Sequence, residues 1–385
     1  MTVDEARPLP LEGRPLPLEG VVVVDATRML PGAVLARNLL DLGARVIKVE
    51  SPQVGDPMRL MPPLRDGIGL GFATHYRGAW SMGLDLRAED GASQFREMAR
   101  HADVVVESFR PGTMNRWGIS LESLRAQNPH LVTCSLPGVP EHCAAEVGHD
   151  LNYVGALGLL GHLGTPPGRV PSIQLADVTA GLLATSGVLA ALLRAQRSGV
   201  GAHVSQPLAT SALPFMHWSL AEHAMSGSST ATSVLSGDLP CYRTYPCRDG
   251  QLLSVGCLEP KFWSALCDCL GLETYASAGL DAGPRGVAAV EALTAKLLAK
   301  DAREWVHDLR GRGLPIGPVH EPNSPEVSAE ITRLSAPASG DDPPPHVDGI
   351  VMSFFSPEIS RTPVAAAPSL NEHHEAVLAW IRETK

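Results

Sequence analysis

Hydrophobic runs near the start of the chain come in two alternating lengths. After Gly20 the segment VVVVDA leads to Thr27, a β-branched stretch that reads as a buried strand. Pro31 then opens an apolar helical segment, Ala33 to Leu42, which stops at Gly43. A second β-branched run, RVIKVE from Arg45 to Glu50, reads as the next strand. Strand, helix and strand at this spacing form a βαβ unit, which requires a parallel sheet. The pattern recurs as a strand from Ser81 (SMGLDL), a helix from Ala88 to Ala102 and a strand from Asp103 (DVVVES). A short helix from Leu121 to Gln127 and a strand from Leu131 (LVTCSL) complete it, so this part is expected to be a doubly wound α/β domain. The turn after the first strand, Asp25-ATRMLPG, carries no GxGxxG and no phosphate loop, which argues against an ordinary dinucleotide or nucleoside-triphosphate site.

The middle of the chain changes character. Asp177 to Arg194 reads as a helix of small apolar residues, and Ala209 to Met225 as a second. A Ser/Thr-rich stretch from Gly227 to Ser236 is a candidate linker. Two short strands, from Cys241 and from Gln251, flank Asp249-Gly250, the signature of a hairpin. Helical patterns follow at Lys261–Leu270, Val287–Leu298 and Ala302–Arg312. The expected division is an N-terminal arm over 1–19, a large α/β domain over 20–225, a small α+β domain over 226–330, and a linker with a C-terminal return to the large domain over 331–385. The linker is DDPPP from Asp341, and the return includes Val347–Phe355 and a helix from Leu370 to Arg382.

Composition narrows the function by exclusion. A net charge of -10 and only 5% aromatic residues disfavour nucleic acid and anionic membranes as partners, although net negative charge also simply serves solubility. Seven cysteines with no CxxC suggest neither a disulfide framework nor a zinc site, and fit reduced thiols in a cytoplasmic protein. The N-terminal segment, with its near-duplicate RPLPLEG, has no secretory pattern. The longest apolar stretch, Val178 to Leu193, is too short and too interrupted by Thr and Ser to span a bilayer.

Candidate chemistry gathers in a few places. In the segment GHDLNY from Gly148 to Tyr153, adjacent His149 and Asp150 can act as a proton-transfer pair, because imidazole titrates near neutrality and a carboxylate can tune it. Taken alone, His-Asp in a loop is more often a satisfied surface or capping pair. Asp177 opens an apolar helix; it is either an N-cap or a carboxylate poised as base or nucleophile. Glu259, just before Pro260, is either a helix-start carboxylate or a site residue. Arg28, Arg59, Arg77 and Arg110 follow strand or loop signals, and Arg110 is best placed to meet an anion at the carboxyl end of a parallel sheet.

In order, DLGARVIKVE from Asp41, GDPMR from Gly55, SMGLDLR from Ser81, DVVVESFRPG from Asp103, GHDLNY from Gly148 and LADVTAG from Leu175 resemble the motifs of the class III CoA-transferases, a family that includes the α-methylacyl-CoA racemases. The resemblance spans about residues 20–384 and implies a Rossmann-like large domain with a smaller domain, in an interlocked homodimer. It implies an acyl-CoA substrate, with coenzyme A entering as part of that substrate, and no bound cofactor or metal. The Gly-His-Asp-x-Asn-Tyr loop and LEPKF from Leu258 are similar to the racemase branch, where His149 and Asp177 would be the two acid–base groups and Asp150 and Glu259 their partners. Arg28, Arg59, Arg77 and Arg110 would hold the coenzyme A moiety. Two alternatives remain: a CoA-transferase with Asp177 as nucleophile, and a non-catalytic homologue that kept the fold. The sequence departs from the family pattern at His75–Ala79, at Gly138–Cys143 and at Arg243, which suggests a specialised acyl group.

Overall fold

The structure, a computed structural model, describes residues 15–227, 235–322, 324–335, 355–356, 359–360 and 365–384. The chain divides into two compact units, one of residues 1–216 and 352–385 and one of residues 217–351. The first division falls inside a helix, Leu213–Ser226, rather than at 225 as the composition suggested.

The first unit is built on six strands: β1 (Val22–Ala26), β2 (Arg45–Glu50), β3 (Trp80–Gly83), β4 (Val104–Glu107), β5 (Val132–Ser135) and β6 (His203–Ser205). Their order is β3-β2-β1-β4-β5-β6 and every pairing is parallel. This is the doubly wound arrangement expected from the βαβ periodicity, with its topological switch between β1 and β4. The strands are buried on both faces, which explains their continuous β-branched runs. On one face lie α1 (Met29–Asp41) and a long helix, Leu175–Ser198. On the other lie α2 (Glu89–His101), α3 (Leu121–Gln127) and the C-terminal helix His374–Glu383. The tail is tied to β3: Asn371 Oδ1 accepts from the Gly83 N–H at 2.7 Å, and the His373 N–H donates to the Ser81 carbonyl at 3.0 Å.

Several boundaries move for identifiable reasons. Helix α1 starts two residues before Pro31, because a first-turn N–H has no intrahelical acceptor and Pro loses nothing there. The helix expected from Asp177 begins at Leu175 and runs 24 residues to Ser198, so it is long and apolar enough to cross a membrane by length and composition, contrary to the expectation from Val178–Leu193. Here its inner face packs on α1. A Cβ at Gly181 would lie 2.6 Å from Val34 Cβ, so glycine permits the close crossing, and Asn38 donates to Thr185 Oγ1 at 3.0 Å across it. Residues 15–19 are not a free arm: Leu18 is buried and its N–H donates to the Leu42 carbonyl at 2.9 Å. The rest of the arm, the Asp341 linker and most of Val347–Phe355 lie outside the described residues.

The second unit carries an antiparallel sheet of β7 (Tyr242–Pro246), β8 (Leu252–Gly256) and β9 (Ile316–Val319), in the order β9-β8-β7. Its first hairpin turns at Asp249-Gly250, where Gly250 supplies φ +79°. Helices Pro260–Leu270, Pro284–Leu297 and Ala302–Leu309 build a core on it around Tyr245, Trp263 and Trp305. All seven cysteines are free, and five are buried.

Lys48 in β2 has no exposed surface. Its Nζ lies 3.1 Å from Asp56 Oδ2 and 3.5 Å from Asp25 Oδ2, and donates to the Thr27 carbonyl at 2.6 Å. Burial alone would lower its pKa, but the two carboxylates and Tyr76 outweigh burial and the net displacement is upward. Removing one partner of such a cluster strands the other charges. Lys48→Met should therefore cost about 3–5 kcal/mol in denaturant unfolding, whereas Arg248→Ala, which breaks the exposed pairs to Asp301 and Glu304, should barely move the midpoint. Comparable losses from the two changes would contradict this assignment.

Candidate active site

Two concave regions of the first unit collect five of the candidate residues, Arg28, Arg110, His149, Asp150 and Asp177. The larger, about 530 Å³, opens at the carboxyl ends of β1, β2 and β4, beside the strand-order switch. Its walls include Thr27, Arg28, Gly55, Asp56, Asp85, Arg87, Phe109, Arg110 and Trp117. Open parallel sheets bind ligands at this position, because the strand-to-helix loops diverge there. The Arg28 N–H donates to Ser108 Oγ at 2.8 Å and its guanidinium lies 5.3 Å from the Phe109 ring centre; Phe109 in turn packs edge-on against Trp117 at 4.9 Å. Met29 next to it is held at φ +65°, a conformation worth about 1–3 kcal/mol of strain in a non-glycine residue. The Lys48 cluster lies directly under this loop, since Asp25 accepts from both the N–H and the hydroxyl of Thr27, at 2.8 and 2.6 Å.

Of the four arginines expected at an anionic ligand, the structure brings Arg28 and Arg110 to this pocket, both exposed. Arg59 departs from that expectation. It is buried with Nε and Nη2 on the two oxygens of Glu50, at 2.8 and 2.7 Å, and Nη1 on the Pro368 carbonyl at 2.9 Å. Its donors are therefore committed to joining the Gly55 loop to the end of β2 and to the C-terminal tail. Arg77 is half-buried and does not line the pocket. Arg87, which the sequence reading passed over, does line it, paired with Asp85 at 2.9 Å. The signal was present: Arg87 follows the β3 segment as Arg110 follows β4.

The second region, about 240 Å³, is a cleft lined by His149, Asp150, Leu151, Val154, Val170, Pro171, Ile173, Gln174, Leu175 and Asp177. His149 precedes α4 (Asp150–Ala156), and Asp177 lies in the first turn of α5 (Leu175–Ser198), whose cap position is held by Gln174. Asp177 is thus the third residue of the helix, not its cap. The two segments are stitched by one bond, in which the Asp177 N–H donates to Asp150 Oδ1 at 3.0 Å. Burial among the apolar walls, and then the Asp150 charge, push the Asp177 carboxyl up to about 7. A carboxyl in that range can both give and take a proton at neutral pH. Glu259 lies in the second unit, exposed at the cap of Pro260–Leu270, with no cap hydrogen bond from its side chain.

The parallel sheet in the 3-2-1-4-5-6 order thus carries an arginine-lined pocket at its switch point and a cleft with His149 and Asp177 at the head of α5. The model of CoA-transferase family III matches residues 18–374, and the chain belongs to that family. A succinate–glutarate CoA-transferase of Agrobacterium fabrum is 28% identical over 94% of each chain. The α-methylacyl-CoA racemase of Homo sapiens is 31% identical over 66% of this chain and 65% of its own. A crystal structure of a CAIB/BAIF family protein from Brucella suis superposes with a TM-score of 0.76 at 27% identity, covering 96% of this chain and all of that one.

The raised Asp177 pKa has a consequence for stability. The folded chain holds this proton up to about pH 7, whereas the unfolded chain releases it near pH 4. Between those values the folded state binds more protons, so stability falls as pH rises, by at most about 1.4 kcal/mol per pH unit. Asp177→Asn should therefore gain melting temperature over the parent as pH rises from about 4 to 7, with the difference constant above that. Parallel melting curves for the two proteins across this range would refute the shift.

Proposed function

We propose that the chain is an acyl-CoA racemase or epimerase that moves a proton on the carbon α to the thioester, using His149 and Asp177 as its two acid–base groups. The observation that carries this reading is that residues from two separate segments, an imidazole and a carboxyl raised to about 7, line one small cleft. The α-proton of a thioester is only weakly acidic, so its removal needs a positioned base, and inversion needs a proton donor on the opposite face. In one direction Asp177 takes the proton and His149 returns one to the other face; in the reverse direction the roles exchange. Asp150 holds the Asp177 backbone and keeps its carboxyl basic. Arg28 and Arg110 anchor the coenzyme A phosphates in the larger pocket, where Arg offers paired donors to phosphate oxygens.

One observation favours a second reading. A relative that matches almost the whole chain, the Agrobacterium fabrum protein, is named a CoA-transferase, and a partly buried Asp177 also suits an attacking carboxylate. The two readings separate cleanly. As a racemase, the protein should incorporate solvent deuterium at the α-carbon of an acyl-CoA with no acceptor acid present. His149→Ala should then abolish exchange from one enantiomer and spare much of the other, and Asp177→Asn should do the reverse, each by roughly 10²–10⁴-fold. An acyl group trapped on Asp177 by hydroxylamine, with no deuterium incorporated, would replace this reading with the transferase.

The anchoring assignment is tested apart from the chemistry. Arg110→Ala should weaken coenzyme A binding in calorimetry by roughly ten- to a hundredfold, with the melting temperature unchanged. Unaltered affinity would remove Arg110 from the site.

A further inference from the structure

We propose that Tyr153 is the positioning residue that holds His149 in register with Asp177; the inference rests on the two-base reading above. The Tyr153 hydroxyl donates to the carbonyl of Gly148, the residue before His149, at 2.8 Å. Its ring occupies space that two glycines leave open. A Cβ at Gly148 would lie 2.8 Å from the ring, and one at Gly138 would lie 2.4 Å from the phenol oxygen. The ring is buried in a small cluster with Val139, Val154, Leu159 and Ala176, the last adjacent in sequence to Asp177. One side chain thus touches the backbone that carries His149 and the packing that supports the head of α5. The same peptide is held from its other end, where the Asn152 side chain accepts from the His149 N–H at 2.9 Å.

His149 itself is exposed, so packing around its ring does not fix it, and its place depends on how its backbone is held. The two bonds from Asn152 and Tyr153 provide that hold. They give the asparagine and tyrosine of GHDLNY a physical purpose: each reaches back to the histidine from the first turn of α4. Burial, and then the nearby Asp177 charge, raise the Tyr153 phenol above its ordinary pKa, so it stays a donor while Asp177 changes protonation. Small displacements of an acid or base are expensive in rate, which makes such a brace consequential.

Tyr153→Phe keeps the ring and removes the bond. In the full-length chain it should lower α-proton exchange roughly 3- to 10-fold, the usual worth of one neutral hydrogen bond, for the enantiomer that His149→Ala silences. Exchange from the other enantiomer and KM should stay within about twofold. Amide hydrogen exchange over residues 148–152 should accelerate, with α5 unchanged. Equal loss for both enantiomers, or no loss, in a folded variant overturns the proposal. Unchanged amide exchange over 148–152 overturns it whatever the activity. If the parent shows no α-proton exchange, the two-base reading fails, and the amide readout alone decides whether Tyr153 braces the segment. Should Tyr153→Phe fail to fold, Gly148→Ala, which pushes a Cβ into the same ring, gives the same pair of readouts.

Discussion

A lysine with no access to water lies beneath the mouth of the larger pocket, and its charge has to be balanced where it stands. Lys48 does this with Asp25 from β1 and Asp56 from the loop after β2, while Tyr76 donates to Asp25 at 3.0 Å. These contacts fix three chain segments relative to one another at the carboxyl end of the sheet. Asp25 also holds the backbone of Thr27, beside which Arg28 lies over Phe109 and Met29 takes the left-handed conformation. Glu50, two residues beyond Lys48, performs a similar task for the next layer, gathering Arg59, Ser81 and the Asp56 N–H. The pocket surface is therefore an outer skin over a charged knot, with Arg28 and Arg110 exposed on it.

Much of this arrangement was legible in the sequence and some was not. The β-branched runs and their spacing specify the parallel sheet, because strands buried on both faces carry no polar alternation to confuse the pattern. Strand β6, three residues long, left no such signal, and was missed. Arg59 was misread because a sequence cannot show whether an arginine faces solvent or a carboxylate nine residues earlier; its pairing with Glu50 is set by the turn at Gly55. Arg28 and Arg110 were recognisable from one rule, that residues just beyond parallel strands face the crevice, and Arg87 obeyed the same rule unnoticed. His149, Asp150 and Asp177 could be singled out as candidates from their motifs, and they line one cleft. The bond between Asp150 and the Asp177 backbone could not, because it depends on two helices meeting.

The cleft shows what that meeting achieves. Helix α5 is placed by its glycine crossing over α1, which delivers Asp177 to the cleft with Asp150 already beside it. Burial in the cleft, and then the neighbouring Asp150 charge, disfavour ionisation of Asp177, which keeps its proton longer than a free aspartate would. This costs stability at neutral pH and leaves a group able to exchange protons there.

The central claim is that this environment moves Asp177 into the neutral range. It is tested most directly by carbon NMR on the protein labelled with ¹³C in its aspartate carboxyls, with the Asp177 signal assigned by its loss in Asp177→Asn. The carboxyl should titrate near 7 in the parent. In Asp150→Asn, which can keep the hydrogen bond and removes the charge, it should titrate lower yet still above the ordinary value near 4, because burial is the larger cause. Titration near 4 in both proteins would contradict the account.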